Sequence, residues 1–417
     1  MPQASANDKI QIALIGAGGM GQGDARTSLS TGSTQLVAAA DIYDGRLARV
    51  KEQFGQNVFT TRDYREVLAR KEVDAVIVAT PDHWHSRITT EALEAGKDVY
   101  CQKPMIQKIE EGKPVIAAQK KTGRMLQIGS QYVSSLVYHK AKELLKSGAI
   151  GEVNLVEAWL DRNTAVGAWQ YSIPPDASPA TIDWDRFLGH APNRPFEPVR
   201  LFRWRNYDDY GTGVAGDLFV HLLSGLHYAT DSTGPTRIFG TGGLRFWKDG
   251  RDAPDVMLAL LDYPDFTLSL KVNFASGIPQ ESFGVKFVGS EGIMVAGMNE
   301  VTLSRTPREA EPGLSIDTFP SAMRQEMIRE YQSKYPRTSQ TADAIRPEKN
   351  ERYTVPRGYS AHLEHHRAFL ESVRTRKLPY EDAVFGMRAA GPALLCNVSA
   401  KEGRPCGWDP EVMDRKG

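Results

Sequence analysis

The sequence predicts an α/β protein of two domains. Residues 1–130 form an N-terminal Rossmann-type, doubly wound parallel sheet, and residues 131–417 a second α/β domain with a large open, mainly antiparallel sheet. Three observations predict it. An apolar run from Ile10 to Ile15 meets glycines at 16, 18 and 21, the G-x-G-x-x-G spacing in which a strand turns tightly into a helix. Strand and helix patterns then alternate as far as residue 130, as a parallel sheet covered on both faces requires. Beyond Gly151 come longer segments in which apolar and polar residues alternate, the pattern of an antiparallel sheet with one open face.

The glycine turn is a dinucleotide-binding pattern. Gly16 permits the turn, Gly18 lets backbone approach a pyrophosphate, and Gly21 lets the helix pack on the strand, with Gly19 and Met20 completing the loop. Phosphates then sit at a helix N-terminus, where free N–H groups favour negative charge. A second apolar strand, QLVAAADIYD, ends in Asp41, twenty residues past Gly21, where the acid that binds an adenosine ribose is expected. An amphipathic helix follows at 45–54, then a short strand near Val58-Phe59, a helix at 63–71, a buried strand in VDAVIVATP, a helix at 85–95, the strand KDVYCQKP and a helix reaching Gly123. RMLQIGSQ closes the first domain.

In the second domain VNLVEAWLDR, TRIFGTGGLRFW, DVMLALLDYP, FTLSLKVNFAS and FGVKFVGSEGIMV read as strands. A loop rich in Trp, Pro and Arg covers 163–210, and a helix is expected from Val214 to Thr230. Residues 305–357, charged and punctuated by Pro, read as an irregular excursion with one helix near 322–334. Helices at 360–375 and 382–402 close the chain.

Composition narrows the function classes. With 51 basic and 51 acidic residues there is no bulk field to attract nucleic acid or an anionic membrane, and no apolar run reaches the length of a membrane span. Three cysteines without C-x-x-C spacing indicate neither a disulfide framework nor a zinc site, so no metal is expected. Ala4-Ser5-Ala6 resembles the A-x-A end of an export signal, and a plain polar tail explains it equally well.

Several polar residues stand where a site is expected. Lys103 ends a parallel strand, and ligands of such sheets lie beyond the strands' carboxyl ends; a desolvated lysine there suits general acid–base work. Asp217 and His221 are four apart in an otherwise apolar helix, GTGVAGDLFVHLLSGLHYA, and so need partners or a task. They read either as a pair satisfying each other or as a proton carrier, His221, oriented by Asp217. Arg203, Arg205 and Tyr210 in RLFRWRNYDDYG, and Arg162 after the first strand of the second domain, offer forked donors and aromatic faces suited to a polyhydroxylated ring. His362, His365 and His366 in HLEHH read as a polar helix face rather than as metal ligands.

These motifs together resemble the Gfo/Idh/MocA family, which includes glucose-fructose oxidoreductase and inositol dehydrogenase. The carrying stretches are GAGGMG at 16–21, ATPDHWHS at 79–86, VYCQKP at 99–104, GSQ at 129–131, GTGVAGDLFVH at 211–221 and RPCGWDP at 404–410. The resemblance implies Lys103, Asp217 and His221 as the catalytic set, and a cofactor cleft that also takes in Thr80, Pro81, Trp84, His85, Gln102 and Gln131. It further implies an open sheet that serves as a homo-oligomer interface, dimeric or tetrameric. Two departures stand out: Gln102 replaces the acid of the family's Glu-Lys-Pro motif, and Tyr132 stands where relatives carry an arginine.

The expected activity is NAD(H)-dependent oxidation of a secondary ring hydroxyl in a sugar, cyclitol or glycoside, with Lys103 as general acid/base; Asp41 favours NAD because it repels a 2′-phosphate. Two alternatives stay open. One is an NAD-dependent redox glycosidase that oxidises, eliminates, hydrates and re-reduces; the other is a non-catalytic sensor that binds a sugar. The compartment is either cytoplasmic or periplasmic after export of the folded protein.

Overall fold

The computed structural model describes residues 9–278, 281–306, 309, 311–313, 315–336 and 351–416. The Ala4-Ser5-Ala6 stretch and part of the 305–357 excursion lie outside them. The first sheet holds six strands: β1 (Ile10–Ile15), β2 (Thr34–Ala40), β3 (Phe59–Thr61), β4 (Ala75–Val78), β5 (Asp98–Cys101) and β6 (Leu126–Ile128). Their spatial order is β3-β2-β1-β4-β5-β6, all parallel. This is the doubly wound order in which the strand sequence reverses beside β1, so the crevice between β1 and β4 opens at their carboxyl ends. Helix Gly19–Ser30 starts at that crevice. Strands β4 and β5 are wholly buried, which explains why β4 is apolar throughout and β5 is apolar after Asp98.

Among the described residues the second sheet has ten strands: β7 (Val153–Asp161), β8 (Arg237–Gly243), β9 (Val256–Asp262), β10 (Thr267–Asn273), β11 (Ser282–Gly289), β12 (Gly292–Ala296), β13 (Glu300–Arg305), β14 (Glu351–Thr354), β15 (Cys406–Asp409) and β16 (Asp414–Lys416). The order is β14-β13-β12-β11-β7-β10-β9-β8-β15-β16, antiparallel except for the central pair β7 and β10. FGVKFVGSEGIMV is therefore two strands, β11 and β12, turned at Ser290-Glu291. The excursion is not wholly separate from the sheet. Glu351–Thr354 pairs with β13 as an edge strand, whereas helix Ser321–Lys334 buries no residue. One face of the sheet alternates into the core, while the other leaves Leu155, Phe239, Leu258, Leu260 and Ile293 exposed.

Helix Ala383–Glu402 ties the domains together. It packs on β8 and also on β6 and helix Gly112–Thr122, and a single apolar cluster runs from Val76 and Ile128 through Met387 to Leu218 and Leu270. Gly386 is needed there, because a Cβ would stand 2.6 Å from Ile128. The loop 163–210 folds on itself around a smaller aromatic cluster, in which Tyr43 of the first domain meets Phe202 at 5.5 Å between ring centroids.

Candidate active site

The glycine turn is built as its spacing requires. Gly16 sits at φ +91°, and a Cβ there would lie 2.6 Å from the Ala79 carbonyl. A Cβ on Gly21 would stand 2.0 Å from the Gly16 oxygen. Gly18 differs: its nearest neighbour to a Cβ is the Arg46 guanidinium at 3.8 Å, and Gly19 has none within 4 Å. These two face open space at the helix start, whose first turn carries no acidic side chain. That space is a cavity of about 520 Å³ walled by Gly16, Gly18, Gly19 and Met20, by Asp41 and Arg46, by Thr80, Pro81 and Trp84, and across the cleft by Tyr171, Phe202, Trp204 and Arg205. A phosphate-bearing dinucleotide fits this lining: backbone N–H groups at a helix N-terminus, an open approach at Gly18, and a carboxylate at the end of β2. Asp41 is held in place by backbone, its Oδ2 accepting from Ala17 N at 2.8 Å and its Oδ1 from Tyr43 N at 3.0 Å. Arg46 stands 3.6 Å from Oδ2.

Arg205 links this cavity to the chemistry. Its Nε is 3.2 Å from Oδ1 of Asp217, and the same oxygen accepts from Lys103 Nζ at 2.8 Å. Lys103 Nζ also donates to the Asp217 carbonyl at 2.8 Å. That carbonyl is presented by a widened turn: Ala215–Phe219 is π-helical and runs into the α-helix Val220–Thr230. Such π segments recur at functional sites. Among the described residues Asp217 makes no hydrogen bond to His221, so it partners Lys103 and Arg205 rather than orienting the histidine. Burial lowers the Lys103 pKa, against the pull of Asp217. Burial raises that of Asp217, but Lys103 and Arg205 together hold it well below the usual carboxylate range. His221 is neutral, pushed down by burial and by Lys103, and its Nδ1 has no partner among the described residues. Tyr132 packs edge-on against its ring at 5.3 Å and stacks on Phe283 at 4.7 Å.

A second buried acid belongs to this group. Asp82 accepts from the Thr212 hydroxyl at 2.7 Å, and its other oxygen has no partner among the described residues. Burial and the charge on Asp217 push its pKa up to about 7. A folded pKa above the unfolded one means that its contribution to stability is complete below about pH 4 and is lost as pH rises through about 7. Asp82→Asn should therefore flatten the fall in Tm between pH 5 and pH 8, measured by calorimetry, and raise Tm at pH 8.

The remaining expected site residues divide. Gly21 packs against the turn and does not line the cavity. His85 is buried between two carbonyls, Pro104 O at 2.7 Å and Thr80 O at 2.9 Å, so it braces the cleft wall from behind. Gln102 turns away from the cleft and donates to Asp24 at 2.8 Å. Gln131 opens the short turn Gln131–Ser134, outside the cavity lining. Tyr210 is fully buried against Phe187 and His83, a core residue rather than a substrate contact. Arg203 ties down the loop through Tyr171 O and Gln170, and Arg162 pairs with Glu281 and the Gly167 carbonyl. Of the expected substrate arginines, only Arg205 reaches the Lys103 cluster directly. Asp82, Thr212, Arg46, Tyr171 and Trp204 are site residues that motif spacing did not single out. The loop's aromatic density was the available signal for the last two.

Residues 10–130 match the Gfo/Idh/MocA oxidoreductase family's NAD-binding Rossmann fold, and residues 142–407 its C-terminal alpha/beta domain. The chain is 31% identical over 155 residues to inositol 2-dehydrogenase of Rubrobacter xylanophilus, covering 37% of this chain and 44% of that protein. It is 30% identical over 145 residues to scyllo-inositol 2-dehydrogenase (NAD(+)) of Bacillus subtilis, covering 34% and 42%. The match thus spans less than half the length of these curated relatives. Among solved structures, levoglucosan dehydrogenase with NADH and levoglucosan aligns with a TM-score of 0.70 at 15% identity, over 95% of this chain and 98% of that one. The WlbA dehydrogenase from Bordetella pertussis with NADH and UDP-GlcNAcA gives 0.68 at 17%, over 96% and 99%. At these identities the likeness is one of fold.

Proposed function

The chain belongs to the Gfo/Idh/MocA oxidoreductase family, and we propose that it is an NAD-dependent dehydrogenase oxidising a secondary ring hydroxyl of a sugar, cyclitol or glycoside. The observation that carries this reading is the buried Lys103 side-chain nitrogen, 2.8 Å from Asp217 and joined through Arg205 to the cofactor cavity. NAD, when bound, supplies the hydride acceptor. Lys103 Nζ takes the proton of the reacting hydroxyl, and Asp217 keeps the nitrogen aimed and stabilises its protonated form. Neutral His221 is half-buried, and its Nε2, rather than the enclosed Nδ1, is the ring nitrogen placed to accept from the reacting or a neighbouring hydroxyl. Arg205 holds Asp217 anionic and closes the cleft with Trp204, over whose ring it lies at 4.2 Å.

Lys103 must be neutral to accept a proton. Because burial lowers its pKa, the rate of alcohol oxidation should rise with pH through a value below the ordinary lysine pKa of about 10.4, and ketone reduction should fall through the same value. Stopped-flow rates from pH 6 to 10 in both directions read this directly.

Purified protein given NAD and a panel of inositols, aldoses, anhydrosugars and aryl glycosides tests the function. The inositols head the panel because curated relatives are inositol dehydrogenases. NADH formation with a cyclic polyol is the expected result. Release of a phenol without net NADH would replace this reading with that of a redox glycosidase. The exposed apolar side chains of the open sheet, with Phe239 opposite Leu260, support a homo-oligomer. Light scattering should give the mass of a dimer or tetramer, and Leu260→Arg should shift it towards monomer.

A further inference from the structure

His362 and His366 stand one turn apart on helix Ala361–Thr375, so both rings leave the same face. That face is not solvated, contrary to its reading as a polar helix surface. The rings converge on Asp24 of helix Gly19–Ser30: Nε2 of His362 lies 2.7 Å and Nε2 of His366 lies 3.3 Å from Asp24 Oδ1. Asp24 Oδ2 accepts from Gln102 Nε2 at 2.8 Å. Asp24 and His366 are fully buried, while His362 keeps 29% of its side chain exposed.

We propose that Asp24, His362 and His366 bind a divalent transition cation of the zinc class, with its open coordination position on the solvent side beside His362. The three ligand atoms lie within 4.8 Å of one another. Metal–ligand bonds of about 2.0–2.1 Å in a tetrahedral site set ligand atoms about 3.3 Å apart, so the 3.3 Å separation of His366 from Asp24 already matches and the 2.7 Å separation of His362 from Asp24 must open by about 0.6 Å. Two histidines at i and i+4 on a helix are a recurring metal-binding pair, and a donor set of two imidazoles and one carboxylate selects Zn²⁺, Co²⁺ or Ni²⁺ over Mg²⁺ or Ca²⁺.

The outer hydrogen bonds fit the same occupant. The Thr27 hydroxyl donates to the Gly23 carbonyl at 3.0 Å, which leaves its oxygen as an acceptor 3.4 Å from Nδ1 of His362. A neutral His362 donating from Nε2 to Asp24 would present a bare lone pair to that oxygen. With a cation on Nε2 the ring proton sits on Nδ1 and Thr27 accepts it, the arrangement that orients ligating histidines. Gln102 likewise holds the second carboxylate oxygen. Among the described residues no Lys or Arg pairs with Asp24; His362 and His366 are its ionic partners, and a divalent cation held by both rings would supply the counter-charge in their place. The cation would fasten helix 361–375 to the helix that begins at the glycine turn and, through Gln102, brace the segment carrying Lys103.

Untagged protein, stripped with a chelator and desalted, is titrated with ZnCl₂ by calorimetry, and its zinc content after gel filtration is measured by plasma mass spectrometry. One zinc per chain is expected, falling to none in His362→Gln and in Asp24→Asn and unchanged in His139→Gln. Should the variants fail to fold, Co²⁺ added to the stripped wild-type protein gives an independent reading, an intense visible band that zinc displaces. No uptake by the wild-type protein, or uptake untouched by His362→Gln, would overturn the proposal and leave the three residues as a hydrogen-bonded cluster only.

Discussion

Lys103→Met should lower the rate of hydride transfer by about 10²–10⁴-fold, the range lost when a positioned acid–base group is removed, while NAD still binds. Methionine matches the lysine stem in length and lacks only the charged, proton-carrying end, so the buried channel stays filled. Lys103 does not line the cavity described above, and the residues that do are unchanged. Asp217 keeps one cationic partner, because Arg205 Nε remains 3.2 Å from Oδ1. Single-turnover kinetics on preformed complexes separates the chemical step from binding, and fluorescence titration gives the NAD affinity. A variant that transfers hydride at the wild-type rate would remove Lys103 from the mechanism.

The second large effect is a contrast between two glycines of one motif. Gly21→Ala should destabilise the fold by about 3 kcal/mol, the upper part of the usual overpacking range, because its Cβ meets the Gly16 oxygen at 2.0 Å and neither backbone segment has room to yield. NAD binding should go with it, since the strand-to-helix turn must move. Gly18→Ala meets nothing closer than 3.8 Å and should leave Tm nearly unchanged. It should still weaken NAD binding by about tenfold or more, because the methyl group occupies the approach that this position leaves to a pyrophosphate. Thermal unfolding and NAD titration of both variants read the two effects separately.

How much of this was legible in the sequence differs by scale. The parallel sheet could be read because β1, β4 and β5 are buried on both faces and therefore nearly all apolar, and because the glycine turn has only one geometry that satisfies its three positions. The edge strand Glu351–Thr354 and the short strand Cys406–Asp409 near the other edge were not, since segments of four residues acquire their extended form from the neighbours they pair with. Lys103 could be found because a strand's carboxyl end is where ligands meet such a sheet. Its true partner could be named but not its geometry: Asp217 and His221 look paired by helical spacing, whereas the Asp217 carboxylate, carried on the π turn Ala215–Phe219, accepts from Lys103. Asp82 was hidden in front of His83 and His85, and only its burial beside Thr212 marks it. The loop 163–210 carried a visible excess of aromatic residues, yet its fold over the cofactor cavity depends on contacts such as Tyr43 with Phe202, more than 150 positions apart. HLEHH read as a surface because a single helix does not reveal which neighbour covers it.

On the proposed function, this cleft moves hydride from a ring alcohol to NAD. Absorbance of the bound cofactor, followed in a single turnover with myo-inositol and other cyclic polyols and with their carbinol-deuterated forms, tests it most directly. Reduced nicotinamide should accumulate with substrate, and rise more slowly with the deuterated carbinol. Cofactor that stays oxidised with every cyclitol, sugar and glycoside of the panel would contradict it.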